Sequence, residues 1–306
     1  MVVNEKGNGM ERLLIYNHKS GQSDNEAPVD HFPGFRAIPI DRAVGDVTAA
    51  RDDGTLELVA VWGGDGTMRS IAAVLAGSDT ALLPCPGGTH NHFALDLGVV
   101  DLDAVDAALT DGERLRVDVG MAGDQLFLNN ANAGWYVDLV ARRERLERRM
   151  PRMLAKALSV AFQLGRTRRL HVELDGEASK VWMIWIGNGQ FSLEPSRLAE
   201  RDDPADGVLD VRLLRADGRL PKLHAFASMV ALAIRGQDPA TSPDLERLLV
   251  QHCTFHFRRE SVRFALDGEL VRLRAPVPFS CRRRALTVLV PPTSADRTGL
   301  TDGREG

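Results

Sequence analysis

Cysteine is scarce in this sequence: only three of its 306 residues are cysteines, Cys85, Cys253 and Cys281, and they lie far apart. An odd number at wide spacing argues against a disulfide framework and against a cysteine-based zinc site. A small number of widely spaced cysteines is typical of proteins kept in a reducing compartment. We therefore expect a cytoplasmic protein.

Long hydrophobic runs are also lacking. No stretch approaches about 18 uninterrupted apolar residues, so we expect no membrane-spanning helix. Residues 1–10 are polar and glycine-rich, without the apolar core of a secretory signal. Hydrophobic residues make up 44% of the chain and charged residues 26%, as in ordinary globular proteins. The length is sufficient for two domains.

Charge is unevenly distributed. The net charge is −4, yet residues 138–169 contain ten Lys/Arg and only three Asp/Glu. Apolar side chains recur at helical spacing between Leu139 and Leu164, which predicts an amphipathic helix. Such a helix could lie on an anionic membrane surface, or it could be a solvated helix that packs its apolar side on the protein. Nucleic acid is not expected, because the segment lacks interleaved aromatic residues and the protein is acidic.

The first hundred residues alternate strand-like and helix-like segments. Apolar runs at 13–16, 56–62 and 81–84 predict buried strands, and helical spacing predicts helices at 68–76 and from Phe93. Alternation of this kind predicts a parallel sheet covered by helices on both faces.

After about residue 120 the pattern changes to short β-rich runs separated by Asp-Gly turns, which predicts an antiparallel sandwich. We also expect two helices there, at 139–164 and 220–234. The expected fold class is therefore α/β plus β. We expect an α/β domain at 11–120, rejoined by 280–291, then a β-sandwich domain at 121–279 and a disordered tail at 292–306.

Three polar loops, at 17–21, 63–67 and 87–91, follow the expected parallel strands. Ligands of open parallel sheets bind outside the carboxyl ends of the strands. The middle loop, Gly63-Gly64-Asp65-Gly66-Thr67, precedes a helix, and its bare N–H groups suit phosphate. A carboxylate beside phosphate is repulsive unless it holds Mg²⁺ or a substrate hydroxyl, so Asp65 indicates phosphoryl transfer. Taken alone, the loop could also be an ordinary turn. Neither a P-loop nor a well-placed dinucleotide fingerprint is present.

The glycine-rich loop resembles that of the diacylglycerol kinase catalytic domain family, which includes sphingosine kinases and bacterial lipid kinases. Residues 88–98 resemble the family's G-T-x-N-D-F-A-x-x-L-G motif, and residues 15–21 its N-P-x-S-G motif. Four further segments follow in the family's order and spacing, at 129–134, 188–189, 206–210 and 266–269.

The resemblance implies that the α/β domain at 11–120 binds nucleotide, that the β-sandwich domain at 121–279 holds the lipid substrate, and that the active site lies at their junction. ATP would be held by polar and glycine positions of the family's motifs. In this chain those positions are Asn17, Ser20, Gly21, Gly63, Gly64, Asp65, Gly66, Thr67, Thr89, Asn91 and Asp267. Glu269 would be the general base that takes the proton of a lipid hydroxyl, and Asp65 would orient metal or acceptor. Taken alone, Asp267-Gly268-Glu269 would be an ordinary hairpin turn, but the presence of the other loops favours the catalytic interpretation.

The resemblance also implies a structural Mg²⁺ bound by Asp206 and the carbonyl of Leu209. Ala205 stands where the family usually has a second aspartate. The implied function is that of an ATP- and Mg²⁺-dependent kinase of diacylglycerol or a related lipid alcohol, peripheral at the inner membrane surface. Two alternatives stay open: a catalytically weak nucleotide- or lipid-binding homologue, and a kinase of a soluble hydroxyl compound. Homodimer formation also stays open.

His92 is the main departure from the family pattern, which commonly has an aspartate there. That aspartate helps a water and carboxylate network behind the phosphates, whereas a histidine could donate to phosphate or could impair catalysis. His92→Asp should raise ATP turnover if the histidine impairs catalysis and lower it if the histidine donates to phosphate. The measurement is the steady-state rate of ADP release by both proteins. An unchanged rate would show that His92 has no effect on ATP turnover.

Overall fold

A computed structural model of the protein describes residues 10–17, 28–89, 91–134, 137, 169–174, 176–192, 201, 203–216 and 245–292. The chain divides into two compact units. The first comprises Met1–Val117 and Arg284–Gly306, and the second comprises Asp118–Arg283. Together the described strands form a mixed sheet accompanied by few helices.

The first unit alternates strands with helices in chain order. Its elements are β1 (Glu11–Tyr16), a 3-10 helix (Val29–His31), β2 (Arg36–Pro39), α1 (Ile40–Asp52), β3 (Leu56–Gly63), α2 (Asp65–Leu75), β4 (Ala81–Pro86), α3 (His92–Asp96) and α4 (Leu102–Asp111). Strand β5 (Glu113–Ala122) then leads into the second unit, and β15 (Val277–Val290) returns from it.

Within the first unit the strand order is β15-β4-β3-β1-β2, and neighbouring strands run parallel. This confirms the parallel pairing expected from the alternating pattern. One face of the sheet packs against α3 and α4, through core residues such as Leu83, Ala94 and Val105. Residues of the opposite parity, including Ile15 and Val61, are also buried, and α1 and α2 pack against β1 and β3.

Helix α2 begins at Asp65, three residues before the predicted start. Asp65, Gly66 and Thr67 are therefore the first turn of a helix, while Gly63 ends β3 and Gly64 is the N-cap. The sequence interpretation also missed α1, since its buried stripe consists of Ala43, Val47 and Ala50, which are too small to give a strong apolar period.

The second unit consists of strands in its described part. They are the end of β5, then β6 (Gln125–Phe127), β7 (Asn130–Gly134), β8 (Leu170–Leu174), β9 (Glu177–Asn188), β10 (Leu209–Arg215), β11 (Leu245–Val250), β12 (His252–Phe257), β13 (Ser261–Leu266), β14 (Glu269–Arg274) and the start of β15.

These strands pair antiparallel in the order β14-β13-β7-β9-β8-β12-β15, while β10 pairs with β9 and carries β11. The long strand β9 pairs with β8 through its first half and with β7 through its second half. Their inward side chains meet in one core that includes Phe127, Ile184, Phe255, Phe264 and Phe279. The division of this path into the two layers of a sandwich stays a prediction.

Several sequence expectations lie outside the described residues. They are the helices at 139–164 and 220–234, and the tail from residue 293. Over the ranges that the structure does describe, no helix has the length and hydropathy needed to cross a membrane.

A buried ion cluster stabilises the β9–β10–β11 region. The carboxylate of Asp210, which is 0% exposed, accepts hydrogen bonds from Arg212 and Arg247 at 2.6 and 2.9 Å. The two arginines stand directly opposite each other on β10 and β11, and both donate to the carbonyl of Phe191. The guanidinium of Arg212 also lies 4.6 Å from the ring centre of Trp185. One carboxylate therefore holds together two cations that would otherwise repel.

Replacing Asp210 with asparagine should destabilise the protein by about 3–5 kcal/mol, because two partly buried arginines lose their buried counter-ion. Equilibrium urea unfolding measures this difference. The matched control is Asp124→Asn, in an exposed turn, which should change the free energy of unfolding by less than about 0.5 kcal/mol. Equal stability of the two variants would contradict the structural role of the cluster.

Candidate functional site

Three loops of the first unit begin at the same edge of its sheet. Because β1, β3 and β4 run parallel, with Tyr16 opposite Trp62 and Gly63 opposite Pro86, their carboxyl ends are aligned. Asn17 follows the first of these strands. The glycine-rich segment follows the second, and residues 87–91 follow the third. The predicted convergence of the three loops is therefore present in the fold.

The middle loop leads directly into helix α2. Gly64 is its N-cap, with extended backbone angles, and the first helical hydrogen bond runs from Met68 N to Gly64 O at 3.0 Å. The N–H groups of Gly66 and Thr67 precede that bond, and the positive end of the helix dipole lies there. Such a helix start attracts anions, phosphate included.

Asn17 ties the first loop to this helix start. Its side-chain amide donates to the hydroxyl of Thr67 at 3.0 Å, and the Thr67 side chain is buried. Gly63 makes that arrangement possible, since a Cβ at this position would lie 2.9 Å from the Cβ of Thr67. Asn17, Gly63 and Thr67, all predicted to bind nucleotide, are thus in contact with one another.

The second and third loops touch through backbone atoms. A Cβ on Gly88 would lie much closer than 3.0 Å to the Cα of Gly64, and real Cβ atoms essentially never make contacts shorter than 3.0 Å. Asn91 closes the third loop, since its Oδ1 accepts from Gly88 N at 2.7 Å and its Nδ2 donates to Gly88 O at 2.8 Å. Asn91 adopts a left-handed backbone conformation, with φ of 54°, and Thr89 is exposed beside it.

Asp65 has a role that sequence reasoning missed. Its carboxylate accepts hydrogen bonds from the N–H groups of His92 and Phe93, at 3.3 and 3.2 Å. These are the first two residues of α3, whose own N-cap, Asn91, makes no side-chain capping bond. Asp65 therefore caps α3 from α2 and joins the second loop to the third. No local pattern could have revealed this, because the partners are 27 residues apart.

The remaining predicted residues of this unit's site, Ser20 and Gly21, lie outside the described residues. The side chain of His92 is exposed.

In the second unit, Asp267 and Gly268 form a two-residue hairpin turn between β13 and β14, with φ of 48° and 85°. The hairpin interpretation is therefore right. The turn does more, however, because the Asp267 carboxylate accepts from the backbone N–H groups of Leu128, Asn129 and Asn130, at 2.8, 2.7 and 3.1 Å. A carboxylate bound by three N–H donors anchors this turn firmly to the start of β7.

Glu269 is the first residue of β14, paired with Leu266 and exposed. The anchored turn immediately before it fixes the position of its backbone. Glu269 belongs to the second unit and Asp65 to the first.

A buried polar network supports the same region. Asn188 is 0% exposed, and its amide donates to the carbonyls of Asp118 and Leu128, both at 2.9 Å. The guanidinium of Arg201, also buried, donates to the carbonyls of Leu128 and Asn188, at 3.2 and 2.8 Å. Sequence reasoning noted the Asn188-Gly189 motif, but it did not identify Arg201.

Asp206 lies in a loop rich in carboxylates. Its oxygens accept from Gln190 N at 2.6 Å and from Val208 N at 3.0 Å. Burial raises the pKa of the Asp206 carboxyl, these two hydrogen bonds oppose that change, and the nearby carboxylates of Asp118 and Asp203 raise it further. Crowded, partly buried negative charge of this kind is what a divalent cation would relieve.

The donor set therefore suits a hard cation in its chemistry, because carboxylate and carbonyl oxygens are the ligands of Mg²⁺. Each oxygen of Asp206 keeps a second lone pair beside its backbone hydrogen bond. Leu209 begins β10 and pairs with both Asn188 and Val250. Among the residues described, no group of three or more His, Cys, Asp or Glu side chains is arranged to hold a metal ion. The Mg²⁺ site stays a prediction.

Residues 11–122 match the family model of the diacylglycerol kinase catalytic domain. This segment contains all three loops described above, and the match confirms the resemblance inferred from the motifs.

Relatives of known sequence include two proteins named "Probable lipid kinase YegS-like". The one from Pseudomonas putida is 33% identical over 163 residues, which cover 50% of this chain and 54% of that protein. The one from Pseudomonas savastanoi pv. phaseolicola is 34% identical over 189 residues, 57% of this chain and 58% of that protein. The chain thus spans about half the length of the curated relatives it matches.

A solved structure described as a diacylglycerol kinase from Bacillus anthracis str. Sterne is similar along nearly the whole chain. The match has a TM-score of 0.67 and 22% identity, and it covers 94% of this chain and 99% of that one. At this identity the likeness shows a shared fold.

Gly88→Ala should disrupt the contact between the second and third loops, because the added Cβ collides with the backbone of Gly64. We expect a loss of about 1–3 kcal/mol in the free energy of unfolding, as for other overpacked sites. Urea unfolding measures the loss.

The matched control for that variant is Gly45→Ala. Gly45 lies within α1 and has open space around its Cβ position, so alanine should stabilise the protein by about 0.5–1 kcal/mol. A Gly88→Ala protein as stable as this control would show that the two loops separate without cost.

Proposed function

We propose that this protein is an ATP- and Mg²⁺-dependent kinase that transfers the γ-phosphate of ATP to the hydroxyl of diacylglycerol or a related lipid alcohol. The observation that carries the proposal is the set of contacts at the start of α2, where Asn17 of the first loop donates to Thr67 and Gly88 of the third loop approaches Gly64. We call this arrangement the cradle. The match of residues 11–122 to a kinase family model supports phosphoryl transfer as its use.

The cradle suits a nucleotide chain of phosphates. The N–H groups of Gly66 and Thr67, at the helix start, would bind phosphate oxygens. Asn17, Thr89 and Asn91 would line the same loops, with Ser20 and Gly21 completing the first of them. The glycines keep the backbone bare, so phosphate can approach the N–H groups closely.

The transfer itself needs a base and an aligned acceptor. The lipid hydroxyl oxygen would bond to the γ-phosphorus as the bond to the bridging β–γ oxygen breaks, and ADP would leave. Glu269 would take the hydroxyl proton. Asp267 would fix the turn that precedes Glu269, and Asp65 would keep the start of α3 in place beside the phosphates. Both accept hydrogen bonds from backbone N–H groups.

Mg²⁺ supplies charge neutralisation at the phosphates when it is bound. Asp206 and the Leu209 carbonyl would hold a second, structural ion. The crowded carboxylates around Asp206 support this assignment, because a cation would offset their mutual repulsion.

A lipid acceptor is favoured over a soluble one by the relatives named as lipid kinases. The basic segment at 139–164, outside the described residues, would contact the anionic inner surface of the membrane from the cytoplasm. A soluble acceptor and a catalytically weak homologue stay the alternatives, and homodimer formation stays open.

Labelled ATP and a panel of lipid and soluble alcohols test the proposal. We expect label to pass to diacylglycerol or a related lipid alcohol. Removing a general base typically costs about 10²–10⁴ in rate, so Glu269→Ala should lose that factor. Asp65→Ala should also lose activity, since α3 loses its cap.

Glu113→Ala is the matched control, because Glu113 is an exposed carboxylate at the start of β5. Label transfer that survives both Asp65→Ala and Glu269→Ala would overturn the mechanism. Transfer to a soluble alcohol alone would favour a kinase of a soluble hydroxyl compound. ATP binding without transfer would favour a catalytically weak homologue.

A further inference from the structure

The ion cluster of Asp210, Arg212 and Arg247 carries an unbalanced charge. Two guanidinium groups share a single carboxylate, so positive charge is in excess. The carboxylate is fully buried, whereas 12% of the Arg212 side chain and 19% of the Arg247 side chain remain exposed. Positive charge that water reaches only in part is unfavourable unless an anion accompanies it. The cluster therefore has room for one more negative group.

The side of the sheet that carries the cluster supplies no second acid. Arg212 lies between Val211 and Leu213, which belong to the core, and therefore faces the opposite side of β10. The positions around the cluster on that side of β9, β10 and β11 are uncharged. They are Met183, Trp185, Gly187, Leu214, Leu245 and Leu249.

Both arginines use the same edge of the guanidinium group to bind the protein. Nε and Nη2 of Arg212 donate to Asp210 at 3.1 and 2.6 Å, and those of Arg247 donate to Asp210 at 2.9 and 2.9 Å. Each Nη2 also donates to the carbonyl of Phe191. Within the part of the chain that the structure describes, neither Nη1 group donates a hydrogen bond. Two Nη1 donors are therefore left for a ligand.

The cluster orders these donors before any ligand binds. Arg212 and Arg247 stand directly opposite each other on paired strands, so their Cβ atoms are about 5 Å apart. The guanidinium of Arg212 also lies 4.6 Å from the ring centre of Trp185, whose ring meets that of Phe191 edge-on at 5.1 Å. Donors that are already ordered lose little freedom when they bind a ligand, which favours affinity.

We propose that the Nη1 groups of Arg212 and Arg247 bind a phosphate group, either inorganic or carried by a small organic molecule. Phosphate offers several acceptor oxygens, and guanidinium groups bind it through strong charge-assisted hydrogen bonds. Its negative charge offsets the excess positive charge of the cluster. The inference does not rest on the kinase proposal, since these arginines belong to the second unit and the cradle to the first.

The test is calorimetric titration of the full chain with sodium phosphate at constant ionic strength, repeated with glycerol 3-phosphate and with sodium acetate. We expect both phosphates to bind more tightly than acetate. Tighter binding of inorganic phosphate identifies the free ion as the ligand, and tighter binding of glycerol 3-phosphate identifies an organic phosphate. Acetate that binds as tightly as either phosphate would overturn the proposal.

Arg247→Lys keeps the positive charge and a donor for Asp210 but removes Nη1, so phosphate should bind about tenfold more weakly. The matched control is Arg215→Lys, the same change at an arginine that donates to Glu177 and Glu246 instead. It should bind phosphate like the wild type. Phosphate held in the cradle is common to both variants and cancels in the comparison. Equal affinity of the two variants would contradict the proposed site.

A second pair of variants tests the site without removing an arginine. Leu249 is 46% exposed, stands opposite Asp210 and lies on the same side of β11 as Arg247. Leu249→Glu places a carboxylate of the protein beside the two arginines, so it should weaken phosphate binding about tenfold or more. Leu249→Gln has the same size without the charge and should bind like the wild type.

Thermal unfolding verifies that all four variants fold. A Leu249→Glu protein that binds phosphate as tightly as Leu249→Gln would overturn the proposal, even if Arg247→Lys failed to fold. A wild type that binds no phosphate would overturn it as well.

Discussion

The approach of two glycines, Gly64 and Gly88, is the contact on which the first unit's site depends. The parallel pairing of β3 and β4 brings the strand ends side by side, and only bare backbone fits between the loops that follow. Asn91 then closes the third loop on Gly88, and Asp65 binds the N–H groups of α3. The start of α2 and the third loop are thereby held together, and the N–H groups of Gly66 and Thr67 precede the first helical hydrogen bond. A side chain at Gly88 would separate the two loops before any ligand could bind.

In the second unit the loops are fixed by charged side chains rather than by close approach of glycines. Where the first unit relies on glycine, this one buries charge and satisfies it with backbone groups. Asp267 gathers three N–H donors at the start of β7, and Arg201 donates to two carbonyls beside Asn188. Asp210 holds two arginines together. A buried charge is stable only with partners in good geometry, so each network allows a single arrangement of its loops. The position of the strand that begins with Glu269 follows from these networks.

Much of the architecture was predictable because it is local. Apolar runs marked β1, β3 and β4, and glycines marked the loops after them. Elements with weak local patterns were missed. Helix α1 buries only small side chains, and β14 alternates arginine with apolar residues, so its outward face looks like a polar loop. The start of α2 was placed too late because Gly64, Asp65 and Gly66 resemble a turn, although the first turn of a helix accepts them readily.

The sequence by itself determined strands β1, β3 and β4, the three loops that could hold phosphate, and the family whose model residues 11–122 match. These follow from residue identity and spacing, which are properties of short segments. Only the tertiary structure decided that Asp65 caps α3 across 27 residues and that Asp267 anchors β7 across 137 residues or more. It also placed Arg212 opposite Arg247. Hydrogen-bond partners and facing side chains depend on how distant strands pair, and no local pattern contains that register.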